Sequence, residues 1–291
     1  MDGIGTMVNI EPRWVRVGYS ESTAAYEAGA CATRTACDGP CPKLLVVFAS
    51  FASYGDTLRE LVEGVADVAG EIPVIGCSTS GEIGPQPVSN GGVVVVGLGG
   101  DFEVSVGYAG DISERPRGVG EDIASALLPL PERRHSIVLM LTDALAGDQQ
   151  EVIRGAYGVL GATVRLVGGG AGDDMRMMTS WQIFGGKILQ DAVVAARISS
   201  DGPIGLALRH GWHSEGEPMM ATASSGNTVY ALNDQPALDV YLEAHDAPAG
   251  IDADPLAFAE FALTRPLAVA RRGDVAVRQP YTFPSYSARV A

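Results

Sequence analysis

Charge is scarce in this chain, and what there is leans one way. Only 19% of the residues are charged, and 35 acidic against 20 basic side chains give a formal net charge of -15. That excess repels phosphate backbones and anionic lipid, so neither nucleic acid nor a membrane surface is an expected partner, whereas a cationic or zwitterionic small molecule is. Long apolar runs are missing as well: Val93 to Leu98, bounded by glycine pairs, is far too short to span a bilayer. Met1 to Arg16 holds Asp2, Glu11 and Pro12 and lacks a basic stretch leading into an apolar one. No secretory leader is read there, and a cytoplasmic location is expected.

Cysteine and histidine number only four each. Cys31, Cys37 and Cys41 lie near one another but form no CxxC pair and have no histidine close in sequence. A metal site is therefore a weaker reading than apolar filler for Cys31 and turn-flanking positions for the other two. Nucleotide signatures are absent too. Gly168 to Asp173 reads GGGAGD, without the third glycine of the dinucleotide fingerprint, and no phosphate-loop Gly-Lys-Ser/Thr occurs.

What the chain does have is a repeat. Val15-Arg-Val-Gly-Tyr19 returns as Val104-Ser-Val-Gly-Tyr108, an offset of 89 (104 − 15). Each copy precedes a stretch of small residues with helical character, Glu21 to Thr35 and Gly118 to Leu128. The apolar runs Leu44 to Ser50 and Ser136 to Thr142 then match at 92 (138 − 46), and both suit strands covered on two faces. Gly55-Asp56 and Gly147-Asp148 keep that register, with each aspartate placed to cap a following helix, Thr57 to Ala69 and Gln149 to Gly161. Pro73 to Gly76 and Arg165 to Gly168 still match at 92, and each opens into a burst of tiny residues ending in acids. An α/β fold follows, of duplicated βαβ-containing units (15–100 and 104–200) in mixed, largely parallel sheets with helices packed on them. Hairpins are expected at Val93 to Leu98 with Glu103 to Ala109, and at Ser180 to Phe184 with Lys187 to Ile198. Helices are expected at Pro236 to Ala244 and near Pro255 to Leu263.

The segments GCSTSGEI (Gly76 to Ile83), GGGAGDD (Gly168 to Asp174), GLALRHGW (Gly205 to Trp212) and NDQPALDVYLEA (Asn233 to Ala244) occur in that order. Together they resemble the FIST sensory domain. The resemblance implies a non-catalytic signal-input module, proposed to bind small ligands such as amino acids and to act on a downstream signalling protein. It places this sensory domain over 14–233 and the start of a shortened C-terminal module of the same family over 234–291.

The two bursts fall where strands end, the usual ligand position in open α/β sheets. The first comprises Cys77, Ser78, Thr79, Ser80, Gly81 and Glu82, and the second Gly169, Gly170, Ala171, Asp173 and Asp174. Their backbone N–H groups can approach a carboxylate and their acids an ammonium, and an α-amino acid carries both. The plainer alternative is a pair of tight turns with solvated acids. Strand alternation sends Ser78 and Ser80 one way and Thr79 the other.

Ser78 also invites a hydrolase reading, but the nucleophile elbow G-x-S-x-G fails at Ser80 and no triad is evident. Cys77 reads as a reactive thiol or, more simply, as buried filler. Some members of the resembled family bind haem and sense nitric oxide, so His210 and His213 are the candidate axial ligands if this chain does the same. Otherwise no cofactor is expected.

Overall fold

In the computed structural model the described residues are 11–84, 91–128, 133–174, 176, 178–207, 211–225, 228–271, 274–278 and 280. The chain begins with β1 (Trp14–Ser20), α1 (Ala25–Ala36), β2 (Leu44–Ser50), α2 (Phe51–Tyr54), α3 (Leu58–Ala69), β3 (Val74–Thr79) and β4 (Val93–Gly99). It continues with β5 (Glu103–Gly110), α4 (Pro116–Ala126), β6 (His135–Thr142), α5 (Gln149–Leu160), β7 (Arg165–Gly170), β8 (Gln182–Phe184), β9 (Lys187–Leu189) and β10 (Ala192–Ser200). Residues up to Leu206 form one compact unit and those from Ala207 a second.

The first unit holds two sheets, ordered β1-β4-β2-β3-β8-β9 and β5-β10-β6-β7. Only β2–β3 and β6–β7 run parallel. The other described pairings are antiparallel, because β4 returns between β1 and β2, and β10 between β5 and β6. The expectation of largely parallel sheets is thus corrected. The crossovers do bring β1 and β2 into the same direction, but a return strand separates them. The predicted hairpin of β4 with β5 is corrected as well, since the two strands lie in different sheets. Around Gly185-Gly186 the hairpin contains only β8 and β9, and β10 crosses to the second sheet.

Each apolar strand is covered on both faces by different partners. Leu45, Val47, Ala49, Val93 and Val95 pack against α1 and α3. Val138, Met140, Val193 and Ala195 pack against α4 and α5. On the opposite faces Leu44, Val46, Ile75 and Cys77 of the first sheet meet Leu141, Val194, Ala196 and Ile198 of the second. Four layers result, helices outside and sheets back to back. This alternation also corrects the repeat register: Val47 and Met140 both face helices, an offset of 93 (140 − 47), whereas Leu139 faces the other sheet. A one-residue slip turns a strand inside out, so the uniform offset of 92 cannot hold through β2 and β6.

The helix pairs cross through glycine. Leu58, Leu61, Val62, Val65 and Ala69 form the buried stripe of α3, and Gly70, at φ +59°, ends it. A Cβ on Gly29 would overlap Leu61 O, and one on Gly64 would overlap Tyr26 O. In the second pair Gly120 lies on Val152 O and Gly155 on Arg117 O in the same reciprocal way. Asp148 caps α5 by accepting from Gln150 N–H at 2.8 Å. Asp56 does not play that part, since it sits within a single 3-10 turn (Gly55–Thr57) before α3.

In the second unit β11 (Ala221–Ser225), β12 (Thr228–Leu232) and β13 (Gln235–Pro236) form an antiparallel sheet, followed by α6 (Ala237–Ala244), α7 (Pro255–Leu263) and the hairpin β14 (Leu267–Arg271) with β15 (Asp274–Arg278). Leu232, Leu238, Tyr241, Phe258 and Ala262 are its core. Among the described residues no helix is long and apolar enough to cross a membrane.

The crossings give a prediction within one helix. Gly155→Ala should lower the thermal midpoint, because overpacking against Arg117 O costs about 1–3 kcal/mol. Gly158→Ala, where a Cβ meets nothing within 4 Å, should raise it through about 0.5–1 kcal/mol of helix propensity. Thermal denaturation of both variants checks the pair, and equal shifts would contradict the close crossing.

Candidate functional site

In β3 the penultimate residue, Ser78, has both its backbone and its side chain fully engaged. Its N–H donates to Trp181 O at 2.9 Å and its carbonyl accepts from Gly172 N–H at 2.9 Å. The hydroxyl donates to Gly172 O at 2.7 Å and accepts from Trp181 N–H at 3.0 Å. Two residues on, Ser80 Oγ accepts from Asp174 N–H at 3.0 Å. The two small-residue segments, separated by ninety-odd positions in sequence (|i−j| = 94), are therefore stitched side by side.

The remaining predicted residues divide by environment. Cys77 is 3% exposed between the sheets, and burial pushes its thiol up to about 12, which suits filler and not a nucleophile. Thr79 is half-buried and its hydroxyl donates to Glu82, whose other carboxylate oxygen accepts from Gly92 N–H at 3.1 Å. Gly81 and Asp174 are half-buried and Ser80 is exposed. Ala171 is buried between the sheets, its N–H donating to Thr142 O at 2.8 Å. Gly169 and Gly170 are exposed in β7, which forms an edge of the second sheet. Asp173 is buried, and one of its oxygens accepts from Met178 N–H at 2.7 Å and Thr179 N–H at 3.1 Å. Its carboxylate thus braces the loop that leads to β8.

Several participants had no signal in the sequence. Asp143, 6% exposed, accepts from Ser180 Oγ at 2.8 Å, Leu145 N–H at 3.1 Å and Asp191 N–H at 3.0 Å, fixing both ends of the β8–β9 excursion. Trp181 stacks on Phe51 with centroids 4.6 Å apart, and the Arg176 guanidinium lies 5.3 Å from the Phe51 ring centre. Tyr54 donates to Ser22 O at 2.8 Å. Burial first, then the neighbouring Glu82 charge, pushes its hydroxyl up to about 12. No spacing rule announces such residues, because each acts through partners distant in sequence.

Glu82 is the electrostatic centre of the cluster. It is 2% exposed, and burial raises its carboxyl above the usual range. The bonds from Thr79 and Gly92 pull it back, and the Asp174 charge adds to the rise. Among the described residues no basic side chain is one of the groups that perturb it.

His213 belongs to the second unit, and His210 lies outside the described residues. His213 lines a 630 Å³ cavity with Trp212, Met219, His245 and Arg265. The wall also carries Glu215 and Glu217, and 211–220 is exposed throughout. Cys31 and Cys41 are exposed, Cys37 is half-buried, and all are free. Among the described residues no three His, Cys, Asp or Glu side chains gather as for a metal ion.

A raised carboxyl gives a pH prediction. In wild type the unfolded chain ionises Glu82 near 4.5 while the folded one resists, so stability is lost as pH rises from that value. Glu82→Gln removes the titration. The midpoint of the variant minus that of wild type should grow more positive from pH 4 towards neutrality, as read by thermal denaturation in matched buffers. A constant difference would show that the carboxyl titrates normally.

Comparison with known proteins places this geometry. Over 210 residues the chain is 23% identical to an uncharacterized protein of Methanocaldococcus jannaschii, a match covering 68% of this chain and 40% of that protein. The chain thus spans about two fifths of that relative's length. Residues 43–235 match the model of the FIST N domain, a stretch that takes in β2, β3, β7 and both small-residue segments. The chain belongs to the FIST N domain family.

Proposed function

We propose that this chain binds a small zwitterion, an amino acid or a molecule like it, at the joined ends of β3 and β7, and passes that event to a signalling partner. FIST domains are sensory domains of signal transduction, which fixes the class of function. The observation that carries the ligand proposal is the stitching of Ser78 to Gly172 and Ser80 to Asp174, which gathers the tiny residues and the acids into one cluster. Asp174 and Glu82 are close enough for the Asp174 charge to raise the Glu82 carboxyl, so the cluster favours a ligand bearing a positive group. We read β1-β4-β2-β3 and β5-β10-β6-β7, four strands in the same order in each sheet, as copies of a single duplicated α/β unit. The binding cluster then lies where the end of one copy meets the end of the other.

We assign the adjacent acids different roles, and a panel of single amino acids in a thermal-shift assay identifies the one that stabilises wild type. Asp174→Asn should weaken that amino acid about tenfold or more by calorimetry, since a charge-assisted contact contributes about 1.5–3 kcal/mol. The unliganded protein should keep its stability. Asp173→Asn should instead lower stability, because it weakens the acceptor held by Met178 and Thr179 N–H. Unchanged affinity in Asp174→Asn would remove Asp174 from the site.

A further inference from the structure

Gln182 is fully buried, at 0% exposure, and among the described residues neither polar atom of its carboxamide has a hydrogen-bond partner. It stands opposite Cys77 of β3 and opposite Leu189 of β9 in antiparallel pairs. Residues directly opposed in such pairs project to one face, and both Cys77 and Leu189 belong to the layer between the sheets. Its neighbour Ile183 points the other way, into the helix-covered core. The amide therefore enters the apolar inter-sheet layer, one residue inward from the Ser78–Trp181 bonds at the end of β3.

A buried amide without partners destabilises the fold that holds it, whereas an apolar side chain of like volume there would not. Such a group marks a place where stability is given up for recognition. Its chemistry is also specific: the nitrogen donates and the adjacent oxygen accepts, in one plane and without net charge.

We infer that Gln182 is the inner anchor of the ligand site, with its Nε2 donating to a ligand carboxylate and its Oε1 accepting from the ammonium on the neighbouring carbon. The inference rests on the small-zwitterion reading above and adds its specificity element. Glu82 and Asp174 supply charge around the strand ends. Gln182 demands an acceptor and a donor side by side, as an α-amino acid presents them. Simple ammonium ions and simple carboxylates satisfy only half of it.

The test uses the full chain, the common L-amino acids as single probes, and the variants Gln182→Met and Gln182→Leu. Gln182→Met should melt a few degrees higher than wild type without ligand and should lose about tenfold or more of the affinity for the amino acid that stabilises wild type. Gln182→Leu, which likewise lacks both donor and acceptor, should lose affinity as well and serves as the readout if the Met variant does not fold. Equal affinity in the variants, or a lower midpoint for a folded Gln182→Met, would overturn the anchor while leaving the site itself standing. If no amino acid shifts wild type, the small-zwitterion reading fails, and this inference with it.

Discussion

Ser78 holds the end of β3 and the loop after β7 together. Its N–H, its carbonyl and its hydroxyl, used as donor and as acceptor, bond to Gly172 and Trp181 of the second half. At 1% exposure none of these bonds competes with bulk water, and leaving any one unmade would strand a buried polar group at a cost of about 1–3 kcal/mol. The close approach they need depends on small residues on both sides. A Cβ at Gly172 would press within 2.9 Å of Ser80 N. The tiny residues of the two segments thus act first on the fold, by letting the loop after β7 lie along the end of β3.

Much of this architecture was legible in the sequence. The apolar runs at Leu44–Ser50 and His135–Thr142 are strands, and the stripe at Leu58, Leu61, Val62 and Val65 is a helix face, because periodicity reports local geometry directly. What covers a strand is not local. Val46 and Leu139 are as apolar as Val47 and Met140, and nothing in the run says that the former pair meets another sheet and the latter meets helices. Parallel neighbours were inferred for that reason, although β4 and β10 return between the crossover strands. The same blindness gave a hairpin where Gly99 and Glu103 mark a passage from one sheet to the other.

The candidate site was half legible. Composition singled out the small residues and the acids at Glu82, Asp173 and Asp174, and the structure brings Ser78, Ser80, Gly172 and Asp174 together. Composition could not tell which hydroxyls and carboxylates are consumed by the fold. Ser78 and Asp173 brace backbone, while Glu82 lies buried with a raised carboxyl. Gln182 was invisible for a different reason. A single polar residue within Trp181-Gln-Ile-Phe184 reads as the solvent side of an edge strand, and only the pairing with Cys77 and Leu189 turns it inward. Asp143 gave no signal because its partners, Ser180 and Asp191, are distant in sequence.

Where a ligand acts on the chain decides its function. Hydrogen–deuterium exchange on the full chain, with and without a saturating mixture of the common L-amino acids, locates that place without assuming which amino acid binds. Added protection should concentrate in peptides covering 76–82 and 168–182, since ligand contact would slow opening of the bonds that Ser78 makes with Gly172 and Trp181. Protection confined to 211–219, or none in either strand-end segment, would contradict a binding site at the joined ends of β3 and β7.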